Sequence, residues 1–398
     1  MRFIRNRRMN KNPVFESKRR MRKIRSIKIA FWVVILPVST GWAFDAGTSS
    51  ANFLKIGIGP RAIAMGEAQV ALADDVYATY WNPAGLARLA TAEAGFAHAQ
   101  YLQSINEEYA AYAMPTGAFG TFAGSISYFN VGKFQGFDAS GQPTTDVGAN
   151  DMAVGFSYAH ALYHDRRYGA DLSAGVTGRW VRERLDTESA SAYGGDLGMI
   201  FTPGIRWGEF LSGWKAGAVL RNVGTSMKYD QDSFPLPRSL SAGLSYTGAW
   251  LGEDITVAVD GTQPNDGRRY IGAGLEVWTF RTLVLRGGYT SQGDLGTGLR
   301  MGAGIKFKTL QVDYAFAGQG DMGNTQYVGL TFHFKESQPD PKYLAQVSYE
   351  NGMKDYKKKR YTEALVKFNK ALELDPSHPE ALKMMKQTYE QIKLIVPE

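Results

Sequence analysis

The residues best suited to chemistry are few in this 398-residue chain, and they are scattered. The absence of cysteine excludes a disulfide framework and a thiolate metal site. The histidines have neither metal-ligand nor catalytic-triad spacing; they are His98, His160, His164, His333 and His378. Glycine-containing stretches such as "GAGLEVW" lie inside predicted strands, where glycine serves packing and curvature rather than phosphate binding. We therefore expect no enzyme activity, no cofactor and no metal.

One short stretch, "DDVYATYWNPAG" from Asp74 to Gly85, concentrates charged, aromatic and turn-forming residues. Asp74 and Asp75 are placed to cap a helix, because the first backbone N–H groups of a helix lack partners and favour negative charge. Pro83 disfavours helical geometry at Asn82, and Gly85 permits a sharp turn. The stretch therefore predicts a short capped helix that ends in a tight turn.

The N-terminus carries the signs of a secretory signal peptide. Residues 1–28 hold twelve Lys and Arg against one acid, and an apolar run and the small-residue pattern Gly41-Trp42-Ala43 follow. We predict a signal peptide over residues 1–43, with Met21 as an alternative start that would leave residues 1–20 outside the protein; a buried N-terminal helix is the alternative. Removing the leader's +11 from the formal charge of +7 leaves about −4, so the composition gives no support for a nucleic-acid partner.

Beyond residue 90 apolar residues alternate with polar or small ones, which is typical of strands with one apolar and one polar face. In "TLQVDYAFAG", for example, Val312 and Tyr314 fall on one face and Gln311 and Asp313 on the other. Fourteen such segments are predicted, at 92–101, 107–115, 119–130, 151–162, 170–183, 192–202, 213–223, 237–248, 254–262, 269–279, 282–290, 298–307, 309–317 and 325–334. This even number predicts an all-β transmembrane antiparallel barrel of about 14 strands over residues 91–335. A soluble sandwich is the alternative.

The connections between these segments alternate between longer and mostly shorter. If the first strand rises from the periplasm, the predicted loops Val131–Asn150 and Gly224–Leu236 are external, and tight turns such as Thr116–Ala118 face inward. The even strand number returns the C-terminus to the periplasmic side. Polar residues predicted to face the lumen are expected to form salt bridges rather than a selectivity filter; they are Arg179, Lys215, Arg221, Asp260, Arg286, Arg300, Lys306 and Asp313.

From about residue 339 the pattern becomes helical, and residues 339–398 resemble one tetratricopeptide repeat (TPR) followed by a capping helix. The positions expected to pack or end its helices are Gly352, Ala364, Phe368, Ala371 and Pro376. A single repeat is expected to dock onto the barrel, a partner or another copy. A generic helical hairpin is the alternative.

The segment Gly47–Leu89 closely resembles the N-terminal signature of the PorV/PorQ family, relatives of the FadL-type channels for hydrophobic compounds. The matching stretches are "ANFLKIG", "RAIAMGEAQVALADD" and "YWNPAGL", and "LRNVG" (residues 220–224) resembles a further family stretch. The resemblance implies that residues 44–90 form an N-terminal hatch folded into the barrel lumen. The hatch residues expected to have a structural, gating or ligand-binding role are Arg61, Met65, Gly66, Asp74, Asp75, Tyr80, Trp81, Asn82, Pro83 and Gly85.

The same resemblance implies an outer-membrane protein of a Gram-negative-type bacterium that serves protein export of the type IX class. Its implied partners are outer-membrane lipid and secreted cargo or components of the secretion machinery. The predicted periplasmic TPR-like module adds the possibility of an envelope protein partner. A FadL-like transporter of hydrophobic small molecules, with the hatch as its gate, is the alternative function, and a purely structural envelope barrel is the third.

Overall fold

A computed structural model describes residues 47–101, 105–138, 140–165, 169–204, 213–250, 253–280, 282–292, 296–318, 320, 323–334 and 341–395. The predicted signal peptide, residues 1–43, lies outside the described residues. Among the described residues, no helix has the length and apolar content needed to cross a membrane.

Fourteen strands form one closed antiparallel barrel, as the alternating pattern predicted. Each strand pairs with its neighbours, and the last strand closes the barrel on the first through pairs such as Phe96 with Leu330. The barrel strands are β1 Glu93–Gln100, β2 Asn106–Pro115, β3 Thr121–Phe137, β4 Pro143–Asp165, β5 Ala170–Leu185, β6 Glu188–Thr202, β7 Trp214–Gly224, β10 Ser239–Trp250, β11 Glu253–Pro264, β12 Tyr270–Thr279, β13 Leu283–Thr290, β14 Leu299–Phe307, β15 Leu310–Gly318 and β16 Asn324–His333. Two further strands, β8 Met227–Tyr229 and β9 Asp232–Phe234, form a separate hairpin. Closure of the sheet contradicts the sandwich alternative.

The two faces of the barrel have inverted polarity compared with a water-soluble protein. Large apolar side chains on the outer face are exposed, among them Leu285 and Met301. Polar side chains on the inner face are buried, among them Ser157, Asp196 and Glu276. Lipid on the outside would cover the apolar face, and the inner polar groups find partners across the lumen.

Some connections predicted as loops are ordered sheet. β3 continues to Phe137 and β4 begins at Pro143, so most of the predicted loop Val131–Asn150 is a protruding hairpin with two register irregularities. The predicted loop Gly224–Leu236 contains the β8–β9 hairpin. These stretches are rich in glycine and polar residues, as loops usually are. Backbone pairing between neighbouring strands nevertheless makes them part of a sheet. The connections at this end of the barrel define the long-loop end, and the opposite end is the short-turn end.

The N-terminal segment, which we define as residues 47–90, contains only short helices. They are the 3-10 helices Asn52–Lys55 and Pro83–Arg88 and the α-helices α1 Pro60–Ala64 and α2 Ala78–Trp81; a further 3-10 turn, Gly117–Phe119, joins β2 to β3. Its buried side chains share a hydrophobic cluster with strand residues that include Tyr109, Ala159 and Ile200.

Glycines on the inner face of the strands let the backbone of the N-terminal segment lie directly on the wall. A Cβ added at Gly175 would overlap the backbone of Pro83, and one at Gly288 would overlap Gly66. The same holds for Gly217 against Val70. Only β6 separates β5 from β7, whereas β13 lies across the barrel from β5, so the segment contacts the wall on two sides.

Three helices follow the barrel in the chain: α3 Pro341–Lys357, α4 Tyr361–Leu374 and α5 Pro379–Ile395. Phe368 is fully buried and packs so closely on Gly352 that any side chain there would need it to move. Ala364 and Ala371 are also buried. Pro376 is exposed in the turn between α4 and α5, two residues after α4 has ended at Leu374. The TPR-like character of this region stays a prediction.

Candidate functional site

Arg61 in α1 is the centre of a charge network between the N-terminal segment and the barrel wall. Its guanidinium donates to Asp74 at 2.6 Å and to Asp75 at 3.1 Å within the segment. It also forms a bidentate pair with Glu276 of β12, at 2.9 and 3.0 Å. Arg286 of β13 donates to the same Glu276 at 2.7 Å. Two arginines from different elements therefore share one buried carboxylate, which fixes the segment to the wall.

The two neighbouring aspartates of this network have opposite pKa shifts. Burial disfavours the charge of Asp74, but Arg61 and Lys215 outweigh burial and lower the pKa of Asp74 to about 2. The Nζ of Lys215 lies 3.5 Å from Asp74. For Asp75 burial dominates and, with repulsion from Asp74 and Glu93, raises its pKa to about 6 despite Arg61. The pair therefore contains one firmly ionised carboxylate and one that titrates near neutral pH.

The predicted helix caps are only partly present. Helix α2 has four residues and no side-chain cap. Asp75 accepts a hydrogen bond from the Tyr77 N–H at 3.0 Å just before that helix, while Asp74 is held in ion pairs. The prediction that Asp74 caps the helix is wrong, because Arg61 and Lys215 bind its carboxylate instead.

Tyr80 and Trp81 hold the start of the N-terminal segment in place. The Tyr80 hydroxyl donates to the carbonyl of Ile56 at 2.7 Å, and the Trp81 indole N–H donates to Ile58 at 2.8 Å. The two rings pack edge to face with centroids 4.9 Å apart. Both aromatic side chains are buried, with their polar atoms satisfied by backbone.

Asn82 links the turn after α2 to the barrel. Its Oδ1 accepts from the Ala84 N–H at 3.1 Å, and its Nδ2 donates to Val70 at 2.7 Å and to Met199 of β6 at 3.3 Å. The next residue, Pro83, begins the following 3-10 helix, a position at which its missing N–H costs nothing. Asn82 is thus a junction within the core rather than only the end of a helix.

Three further predicted positions, Met65, Gly66 and Gly85, contribute through close packing and not through hydrogen bonds of a side chain. Met65 is fully buried, and its backbone lies against Gly274 of β12. Gly66 has a φ of +64° and lies against the backbone of Tyr289. Gly85 makes its close approach to the carbonyl of Ala73 in its own segment and not to the barrel wall.

The N-terminal segment lies between two cavities. The long-loop cavity, of about 710 Å³, is lined by Tyr80, Trp81 and Arg221 together with loop residues such as Arg268. The short-turn cavity, of about 590 Å³, is lined by Arg61, Asp74, Asp75, Lys215, Lys306 and His333. The predicted hatch residues thus contribute to both cavities, while Asn82, Pro83 and Gly85 lie in the packed layer.

Glu276 is the central site residue that the sequence pattern did not predict. It lies in "GAGLEVW", which was interpreted only through its glycines, yet it falls on the same strand face as Gly272 and Gly274. That alternation was the available signal, because it places Glu276 on the inward face of β12 together with the two glycines. Four of the eight predicted lumen residues form salt bridges: Arg179 pairs with Asp196 at 2.8 Å, Arg286 with Asp313 at 2.5 Å, and Lys215 with Asp74 at 3.5 Å.

In the described part of the chain, no cluster of three or more histidine, aspartate or glutamate side chains is arranged to hold a metal ion. A closed barrel with an apolar outer face, a polar lumen and a segment of its own chain packed inside defines an outer-membrane β-barrel protein.

Sequence comparison gives the family. The model of the family described as "Type IX secretion system protein PorV" matches residues 44–252, and the chain belongs to this family. The match includes the N-terminal stretches on which the predicted resemblance rested, which is therefore confirmed. A search of the curated proteins finds no match.

Solved structures with a similar fold are distant in sequence. The toluene transporter TodX of Pseudomonas putida is 12% identical, with 69% of this chain and 96% of that chain covered and a TM-score of 0.46. The CymD monoaromatic hydrocarbon channel is 13% identical, with 71% and 99% covered and a TM-score of 0.48. A Pseudomonas aeruginosa FadL homologue is 11% identical, with 69% and 98% covered and a TM-score of 0.41.

Proposed function

We propose that this outer-membrane barrel serves type IX protein export by binding secreted cargo at its long-loop end and passing it to other components at the cell surface. Membership of the PorV family supports the export role. On this proposal the protein binds and transfers polypeptide and is not an enzyme.

The sidedness of the proposal follows from the connections. Outer-membrane barrels have short periplasmic turns and longer external loops, so the long-loop end would face outward. Because β16 ends at the short-turn end, the helices α3–α5 would lie in the periplasm. There they would act as a TPR-like docking module for an envelope protein.

The observation that favours binding of cargo over conduction of solutes is the N-terminal segment, which is packed between the two cavities. Arg61 holds it to β12, Asn82 holds it to β6, and Arg88 donates to Thr202 at 2.9 Å. Its fixed contacts fit a hatch that closes the lumen. In addition, the walls of the long-loop cavity are mostly polar or charged, which suits polypeptide better than a hydrophobic solute.

Transport of hydrophobic small molecules is the second candidate function. The cavities on both sides of the hatch favour it, since movement of the N-terminal segment would join them. Deletion of residues 74–85 and the milder variant Arg61→Ala separate the two functions. Export predicts loss of surface cargo with unchanged uptake of hydrophobic solutes, whereas transport predicts altered uptake with secretion intact. Lys306→Ala, which removes a cation from the short-turn cavity without touching the Arg61 pairs, is the control.

Topology is the first test of the proposal. One protease-cleavable tag is placed at the tip of the β3–β4 hairpin and another after residue 398. The proposal expects a heat-modifiable outer-membrane band, cleavage of the hairpin tag in intact cells, and protection of the C-terminal tag until the outer membrane is opened. A soluble periplasmic protein, or cleavage of the C-terminal tag from outside, would contradict it.

A further inference from the structure

Arg221, near the long-loop end of β7, is a buried cation for which the described residues supply no ion pair. Its side chain is 8% exposed, and no described carboxylate oxygen lies within 4.0 Å of it. Its Nε has no hydrogen-bond partner, although its guanidinium does contact the Tyr270 hydroxyl. Asp196 and Glu67 act on it only from beyond ion-pair distance. A buried charge without a direct ion-pair partner is costly, so its persistence calls for an explanation.

The side chains around Arg221 orient its guanidinium at the edge of a cavity. Its guanidinium carbon lies 5.6 Å from the ring centroids of both Tyr80 and Trp81, which orient it by cation–π contacts. Arg221 also lines the long-loop cavity of about 710 Å³. A preformed pocket therefore places an oriented guanidinium in the wall of a cavity that a ligand can enter.

The other charges of this cavity leave an excess of positive charge. Lys55 and Asp266 neutralise one another at 2.8 Å. Arg268 and Arg269 add two cations at the rim, of which Arg269 also bonds Gln263. Glu67 is the remaining carboxylate of the lining, and burial raises its pKa. The balance favours an anionic ligand.

We propose that the long-loop cavity is a carboxylate-binding site, in which Arg221 receives the carboxylate of a polypeptide segment whose apolar part lies over Tyr80 and Trp81. This proposal rests on the proposed export function. A planar guanidinium matches a carboxylate in geometry as well as charge. The polar lining, with Asn222, Ser239 and Gln292, offers backbone-like partners to a peptide and little apolar wall to an acyl chain.

Equilibrium binding to the full chain in a non-ionic detergent tests this site. The probes are N-acetyl-Ala-Phe with a free carboxylate, the same peptide with a C-terminal amide, and octanoate. We expect the carboxylate peptide to bind at least about tenfold more tightly than the amide, with an advantage that shrinks at high salt. Arg221→Gln should remove that advantage, Arg221→Lys should keep part of it, and Arg182→Gln, on the exposed part of β5, should leave it intact.

A stability measurement distinguishes a binding role from a structural one. If Arg221 is an uncompensated charge, Arg221→Gln should leave the heat-modifiability temperature unchanged or raise it; a marked fall would show a structural role and contradict the proposal. Equal binding of the two peptides, an Arg221→Gln variant that still prefers the carboxylate, or tighter binding of octanoate would also overturn it.

Surface delivery of cargo is measured separately. A carboxylate preference of the parent protein that Arg221→Gln abolishes while secretion stays normal would count against the export function alone. Secretion that is lost in the hatch variants, when the parent protein shows no carboxylate preference, would count against this site alone.

Discussion

At the scale of single residues, the network around Arg61 explains how a segment with little regular secondary structure is held inside the barrel. Arg61 satisfies three carboxylates, of which Glu276 belongs to the wall and Asp74 and Asp75 to the segment. Removal of the guanidinium would leave these carboxylates close together with fewer cations to balance them. Arg286 and Lys215 would remain as partial compensation.

We expect Arg61→Leu to lower the free energy of unfolding by about 3 kcal/mol, because breaking a buried ion pair leaves uncompensated charge. Urea unfolding in lipid vesicles, followed by heat-modifiability on gels, measures the change. Arg61→Lys keeps the charge but loses the bidentate geometry, and it should recover only part of the stability. An Arg61→Leu variant as stable as the parent would show that the network does not hold the segment.

Asp75 gives the stability of the protein a predicted pH dependence. Its folded pKa of about 6 lies above the ordinary value of about 3.9, so the folded protein binds the proton more tightly than the unfolded chain. The contribution of Asp75 to stability is therefore fully present below about pH 4 and is lost as the pH rises through 6. Asp75→Asn should remove this slope between pH 4 and 6, measured as the difference between the two unfolding profiles. Identical profiles would refute the assignment.

At the scale of elements, neighbouring glycines of β13 have different environments. A Cβ at Gly288 would overlap the backbone of the N-terminal segment, whereas one at Gly287 would meet open space. The same alternation separates inward from outward positions along every strand. Strand glycines in this barrel therefore divide into those that contact the N-terminal segment and those that do not.

The β13 pair provides a matched test. Gly288→Ala should destabilise the protein by about 1–3 kcal/mol, because an overpacked site forces the segment away from the wall. Gly287→Ala, one residue along the same strand, should be nearly neutral. Unfolding measurements and protease cleavage within residues 47–90 report the two effects, and equal behaviour of the two variants would argue against direct seating of the segment on β13.

The outward face of the strands is tested by charge. Leu285 and Leu330 are exposed outward near mid-strand, so either residue changed to Arg should cost about 2–4 kcal/mol of folding free energy in a bilayer. Thr309→Arg, in the exposed β14–β15 turn, should cost little. Folding into vesicles gives the comparison, and unaffected folding of both leucine variants would reject a lipid-facing surface.

At the scale of the whole molecule, the barrel closes through β1 and β16 before the C-terminal helices begin. The helices have a core of their own around Phe368 and Ala371. Closure satisfies the backbone hydrogen bonds of every barrel strand without any contribution from α3–α5.

Removal of residues 339–398 should therefore leave a folded barrel with an unchanged heat-modifiable band. The docking proposal adds that the truncated protein should lose an envelope partner recovered with the full chain after cross-linking. A truncated chain that cannot fold would instead make the helices an integral support.

The sequence by itself determined the number of strands, their outward and inward faces and the family. These features are local, because the alternation of apolar and polar residues occurs within each strand and the N-terminal signature is one contiguous stretch. Only the tertiary structure decided which inward groups meet: Arg61 reaches Glu276 across 215 positions, and Asp74 pairs rather than caps. It also leaves Arg221 without an ion pair among the described residues, with its Nε lacking a hydrogen-bond partner. Such contacts depend on the register of fourteen strands around a closed barrel and on the path of the enclosed segment, and no local pattern encodes either. The same reason explains why the sequence predicts a loop where the β3–β4 hairpin lies, since only the pairing of the two strands shows that the sheet continues there.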